Sequence, residues 1–214
     1  MAVFLVGCTT DPYGTPFDVD PTDTNSCADG VISFQYEILP LITSGCAKSG
    51  CHDPITKEED LVLNSYAGIM EIVKAGDAKK SGLFKYLKAF GDDLMPPLPD
   101  KLTNEQIDLI GDWIDQGAKE TQCTTGCDPE SFTFEKAIFP MMTTYCIGCH
   151  NDNLSSGDIN LKDYPAIKDI VDKGRLLGTA RHDTGFSPMP PGQKMSDCNI
   201  SQLRKWIEDG AKNN

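Results

Sequence analysis

The chain has 214 residues, of which 39% are hydrophobic and 24% are charged, and this composition is typical of one or two globular domains. The sequence contains no run of about 18 consecutive apolar residues, so it predicts no membrane-spanning helix. The net charge of −13 argues against nucleic-acid binding, because an acidic surface repels phosphate groups.

The N-terminal residues 1–26 carry four acidic residues and no basic one. Within them, Leu5-Val6-Gly7-Cys8 resembles the end of a bacterial lipoprotein signal, and a stretch rich in Pro, Thr and Asp follows. We predict a signal remnant and flexible tether with a lipid on Cys8. The protein would then be exported and membrane-anchored, facing the periplasm or the cell surface. The alternative is a frayed terminus with an incidental cysteine.

The rest of the chain is an internal repeat. Residues 27–46 align with residues 127–146 at a constant offset of 100, and the offset becomes 98 after the next cysteine of each half. Later, LMPPLPD matches PMPPGQK, and DWIDQGAKE matches KWIEDGAKN. We therefore predict a tandem duplication, with a first domain at 27–123 and a second domain at 124–214.

Both repeats have helical periodicity, and neither has a convincing alternating strand pattern. Apolar residues recur with helical spacing near the start and near the end of each repeat. Gly117 and Gly210 stand where the closing helices should stop, and Thr103 with Gln106 can form a capping box. The mainly α fold should contain long helices at 34–42, 107–114, 134–142 and 200–207 and shorter ones at 66–74, 81–90 and 164–173, with loops around the paired prolines.

The segment Cys146-Ile147-Gly148-Cys149-His150 carries the clearest chemistry. Two thiols at this spacing can add to the two vinyl groups of one haem, and the adjacent histidine then presents its imidazole to the iron. The first repeat offers Cys46, Cys51 and His52 at the matching place, with four residues between the thiols instead of two. We expect Lys48-Ser49-Gly50 to bulge outward, with Gly50 tolerating unusual backbone angles. The sequence thus predicts two covalently attached haem c groups.

Three other interpretations of these clusters are weaker. A zinc site needs four nearby ligands, whereas each half offers three clustered ones. Disulfides from Cys46 to Cys51 and from Cys146 to Cys149 would leave the adjacent histidines unexplained. A thioredoxin-like redox pair would require a βαβ context that the sequence lacks.

A sixth iron ligand is available in each repeat. Met95 and Met189 lie in the proline-rich loops, 43 and 39 residues after the respective histidines. Prolines restrict the loop and can hold a thioether on the iron in both redox states. His182 and Met195 are rival ligands for the second iron, and His182 could instead contact a haem propionate or lie at the surface.

This order of first helix, cysteine–histidine motif, methionine loop and closing helix resembles class I cytochrome c, here as a tandem dihaem protein. The resemblance implies an all-α fold of two helical domains, each enclosing one covalent haem. It also implies that His52 with Met95 and His150 with Met189 ligate the two irons. Trp113 and Trp206 would lie on closing helices that pack across the first helices.

Four cysteines remain once haem and lipid are assigned. In an exported protein they can form two disulfides, and three pairings are possible. We favour Cys27 with Cys123 and Cys127 with Cys198. The main alternative pairs Cys123 with Cys127.

The predicted function is single-electron transfer between redox partners, without substrate binding at the iron. Alternatives are a dihaem peroxidase, a sulfur-compound oxidoreductase, or a haem-bearing structural subunit of a respiratory or photosynthetic complex. The first repeat has 16 acidic and 9 basic residues, and the second has 12 and 10. We therefore expect a basic partner to dock near the first repeat, with Asp92 and Asp93 as the best candidates for the docking face.

Overall fold

The computed structural model describes residues 26–124 and 127–214. The predicted lipid site at Cys8 lies outside these residues. The described parts are helical and contain no strands beyond two isolated bridges, so the all-α prediction is confirmed. The α-helices are α1 (Leu39–Gly45), α2 (Tyr66–Met70), α3 (Gly82–Leu87), α4 (Asn104–Asp115), α5 (Phe139–Tyr145), α6 (Tyr164–Asp172), α7 (Leu176–Arg181) and α8 (Asp197–Glu208).

Local sequence sets the ends of the two closing helices. Thr103 and Gln106 form the predicted capping box at the start of α4, which satisfies two backbone N–H groups that the helix leaves without partners. Ser196 accepts a hydrogen bond from the Asn199 N–H and caps α8. Beyond the last turns, Gly117 and Gly210 have φ of 98° and 92°, a conformation that glycine adopts without steric cost.

The first helix of each repeat begins with a wider turn that periodicity did not distinguish from an α-helix. The π-helical turns Phe34–Ile38 and Phe134–Ile138 run directly into α1 and α5. Pro40 has no N–H, so it cannot bond to the Tyr36 carbonyl one turn earlier. That carbonyl instead accepts a 2.6 Å hydrogen bond from the Tyr145 hydroxyl of the second repeat. The contact between the repeats thus uses a main-chain acceptor to which Pro40 cannot donate.

Each repeat builds its own hydrophobic core, with buried side chains between Phe34 and Ala118 in one and between Phe134 and Ala211 in the other. The same three aromatic rings anchor both cores, and the closing-helix tryptophans pack against the first helices as predicted. Centroid distances are 5.4 Å for Phe34–Trp113, 5.1 Å for Phe34–Tyr66, 5.7 Å for Phe134–Trp206 and 5.1 Å for Phe134–Tyr164.

Two disulfides connect Cys27 with Cys123 and Cys127 with Cys198, which confirms the favoured pairing. The first joins residues 96 positions apart, at the two ends of the first repeat. The second ties the start of the second repeat to α8. Such links are found in proteins that fold in oxidising compartments.

Removing the first disulfide should destabilise the fold. We expect Cys27→Ala with Cys123→Ala to lower the free energy of unfolding by about 2 to 4 kcal/mol, because the unfolded chain regains the freedom of a long loop. Urea unfolding followed by tryptophan fluorescence would measure the change. Cys127→Ala with Cys198→Ala provides the comparison for the shorter loop. An unchanged urea midpoint in the first variant would contradict this prediction.

The repeats contact each other through α1 and α5. The Ser44 hydroxyl donates to the Thr144 carbonyl at 3.3 Å, and these two residues are equivalent at the repeat offset of 100. Contact between equivalent positions is the pattern of a two-fold interface. The cysteine–histidine segments follow directly after α1 and α5, so this interface brings the ends of the two candidate sites toward each other.

Candidate functional site

The turn after α5 positions the second cysteine–histidine motif. Cys146 ends the helix with its N–H donating to the Met142 carbonyl at 2.9 Å. The N–H groups of Cys149 and His150 both donate to the Cys146 carbonyl, each at 3.1 Å. His150 is buried, with 9% of its surface exposed. The motif is therefore a compact turn that holds two thiols and an imidazole on one side of the core.

A hydrogen bond defines the tautomer of each motif histidine. Nδ1 of His150 lies 3.3 Å from the Ile159 carbonyl, and Nδ1 of His52 lies 3.0 Å from the Glu58 carbonyl. A carbonyl oxygen only accepts, so Nδ1 carries the proton and the Nε2 lone pair remains free for a metal. Metal-ligating histidines are commonly oriented by such a bond.

The second motif opens onto a cavity of about 300 Å³. Cys146, Cys149, His150 and Met189 all line it, together with Pro190. The structure thus brings all four residues predicted for the second site to one space, most of whose walls are apolar. Mostly apolar walls with a few convergent polar groups are typical of a small-molecule or cofactor site.

The rival ligands differ in their placement. Met195 is buried and lines the same cavity as Met189. His182 ends α7 in a left-handed conformation, and its Nε2 is buried without a hydrogen-bond partner. Within the described chain, His182 is not among the residues that line the cavity. The geometry therefore favours a methionine over His182 on this side of the site.

The two methionine loops are anchored alike. The Met95 N–H donates to the Tyr86 carbonyl at the end of α3, and the Met189 N–H donates to the Thr179 carbonyl in α7, both at 3.1 Å. A methyl group built on Gly45 would lie 3.8 Å from Pro96, so the first loop passes close to the end of α1. Met95 itself is 38% exposed. The first site is more open than the second at this edge.

The longer spacer of the first motif is accommodated by an additional turn. The Cys51 N–H donates to the Lys48 carbonyl at 3.0 Å, and Gly50 has a φ of 86°, as predicted. The His52 N–H still reaches the Cys46 carbonyl at 3.1 Å, the same distance as in the second motif. Only Ser49 and Gly50 point outward, however. The prediction for Lys48 was wrong, because this side chain turns inward to an ion pair and is only 8% exposed.

The four motif cysteines are free thiols, so the alternative that pairs them in disulfides is not observed. Burial raises the pKa of Cys46 and of Cys146 to about 12 in each case. Burial therefore disfavours the thiolate form of both side chains, which is the form that binds zinc. Among the described residues, no three His, Cys, Asp or Glu side chains converge in a metal-binding cluster.

Sequence reasoning missed that the first repeat contributes to the second site. Pro40, Ser44 and Ala47 line the cavity beside the second motif. A methyl group on Gly148 would collide with the Ser44 backbone, so the small residue between Cys146 and Cys149 allows the repeats to approach. In the sequence, Gly148 indicates this contact, but a glycine at that position is equally expected for a tight turn.

Searches against protein-family models, curated proteins and solved structures found no match to the chain. In the part of the chain that the structure describes, no helix is long and apolar enough to span a bilayer.

Proposed function

We propose that the protein is a dihaem c-type cytochrome that transfers single electrons between redox partners. The observation that carries this proposal is the convergence of Cys146, Cys149, His150 and Met189 on one mostly apolar cavity. Together these residues supply the donor set that a covalent, six-coordinate haem requires. We extend the proposal to the first motif because it is the repeat of the second and has matching backbone hydrogen bonds.

The residues present fit such a group. In the second site, Cys146 and Cys149 would hold the haem, and His150 and Met189 would be its axial ligands. Cys46, Cys51, His52 and Met95 would do the same in the first site. When bound, the haem iron supplies the exchange of one electron between its ferric and ferrous states. The chain orients the imidazoles through the Nδ1 hydrogen bonds and shields the second site with α1.

A redox titration followed by absorption tests the function. We expect two one-electron steps, and we expect neither ferrous haem to bind carbon monoxide rapidly, because both axial positions would be filled. Rapid carbon monoxide binding, or turnover of hydrogen peroxide at a catalytic rate, would favour the dihaem enzyme over the electron carrier. A chain without haem after maturation would overturn the proposal.

We further propose that the chain is exported and held at a membrane by a lipid on Cys8. The two disulfides are compatible with export, because such bonds persist in oxidising compartments. The segment from Cys8 to Ser26 would serve as the tether. Labelling with a radioactive fatty acid, compared between wild type and Cys8→Ala, tests the anchor directly, and equal labelling would reject it.

The acidic first repeat should steer a basic redox partner. Asp92 and Asp93 are exposed and lie just before Met95. Exposed charges are screened over about 8 Å at physiological ionic strength, so the association rate should fall as salt is added. Stopped-flow reduction by a basic redox protein would measure this. We expect Asp92→Asn with Asp93→Asn to slow association several-fold at low salt and to flatten the salt dependence.

The matched control is Glu208→Gln with Asp209→Asn, which removes two adjacent exposed acids from the second repeat. It should change the association rate less than the first variant does. A flat salt response of the wild type, or a larger effect of the control, would reject docking at the first repeat.

A further inference from the structure

Lys48 is a buried cation between the two cysteine motifs. It belongs to the spacer of the first motif, and its Nζ forms a 2.7 Å ion pair with Asp100 in the loop that follows Met95. The side chains of Lys48 and Asp100 are 7% and 25% exposed. A charge in such a place has a strong field, because little water screens it.

The ion pair continues into the second repeat. The other carboxylate oxygen of Asp100 accepts a 3.2 Å hydrogen bond from the Asn153 amide, three residues after His150. One network of three side chains therefore joins the first motif, its methionine loop and the segment that follows the second motif.

The Lys48–Asp100 pair borders both motifs. Lys48 lies within the first motif, and the hydrogen bond from Asn153 to Asp100 places the pair beside the segment that follows the second motif. The spacer of the second motif is Ile147-Gly148, which carries no charge. A single lysine thus borders two otherwise similar sites.

We propose that the Lys48–Asp100 pair is a positioning element that couples the two haem sites and sets the reduction potentials of both. This inference rests on the proposed function. A ferric site carries one more positive charge than a ferrous one, so a nearby ammonium disfavours oxidation and raises the potential. Asp100 opposes that effect and fixes the ammonium between the motifs, while Asn153 holds the carboxylate from the second repeat.

Replacing either partner should move both potentials, in opposite directions. Lys48→Met removes the cation and leaves the Asp100 carboxylate uncompensated, so both potentials should fall. Asp100→Asn leaves the cation unopposed, so both should rise. The double variant should lie closer to the wild type than either single variant, since the two changes offset each other. Lys48→Arg keeps the charge and should retain potentials near those of the wild type.

Spectroelectrochemical titration of the mature protein measures these shifts. The matched control is Lys88→Met, which breaks the 3.0 Å pair between Lys88 and Asp108 in the first repeat, where both side chains are at least half exposed. It should leave both potentials unchanged within error. Shifts of one sign for Lys48→Met and Asp100→Asn, or a shift confined to one haem, would overturn the proposal.

The mass of each denatured variant separates this inference from the proposed function. If the wild type carries no covalent haem, the proposed function fails and the coupling fails with it. If it carries two haems and Lys48→Met leaves both potentials in place, the coupling alone is rejected. If Lys48→Met does not mature, Asp100→Asn decides the question: a rise of both potentials supports the coupling, and a fall or no shift rejects it.

Discussion

Alanine at both Cys46 and Cys51 should leave a protein with one covalently attached haem where the wild type has two. The prediction follows from the separate motifs and the separate hydrophobic cores of the repeats, since loss of the thioether links at one site leaves the other core intact. Haem-stained gels and the mass of the denatured protein would measure the loss of half the covalent haem.

The reciprocal variant, Cys146→Ala with Cys149→Ala, should lose the other haem. Its effect on folding should be larger, because its cavity is walled by residues from both repeats. Cys127→Ala with Cys198→Ala removes two cysteines that form a disulfide and should keep both haems. Two haems retained in either motif variant would contradict the assignment of those cysteines.

Replacing one loop methionine should remove one iron ligand. Ferric haem with methionine sulfur as a ligand has a weak near-infrared band, and we expect Met189→Ala to abolish about half of the wild-type band and to lower one reduction potential. Met95→Ala should abolish the other half. Near-infrared absorption or magnetic circular dichroism of the oxidised protein would measure both losses.

Two control variants test the rivals within the second repeat. Met195 lines the same cavity but is not the predicted ligand, so Met195→Leu should keep the band. Leucine fills a similar volume and should preserve the packing. His182→Ala should also keep it. Loss of the band in Met195→Leu but not in Met189→Ala would move the ligand to Met195. A wild-type signal of two histidine ligands that disappears in His182→Ala would assign the sixth position to His182.

The repeated helices could be predicted because each buries a continuous apolar stripe. The sequence also predicted a capping box at the start of α4 and a glycine after each closing helix, and the structure contains both features. Helix α7 was not predicted, since it has only six residues and contains Gly178. A methyl group there would clash with the Phe186 ring, so the glycine serves a tertiary contact that weakens the helical signal.

The disulfide pairing could be predicted from the repeat boundaries, because one pair lies at the two ends of the first repeat and the other joins the start of the second repeat to its closing helix. The contact between α1 and α5 could not be predicted in the same way. It depends on a hydrogen bond from Tyr145 to a main-chain carbonyl and on the close approach of Ser44 to Gly148, neither of which has a periodic signature. The inward orientation of the Lys48 side chain could not be predicted either, because its partner Asp100 lies 52 residues away in the sequence.

The mass of the denatured wild-type protein, made with its export signal and haem-attachment machinery, tests the central claim most directly. Denaturation removes any group that is held only by noncovalent contacts, whereas thioether-linked haem stays on the chain. We predict a mass that exceeds that of the polypeptide and its lipid by two haems. A mass that shows one haem or none would contradict it.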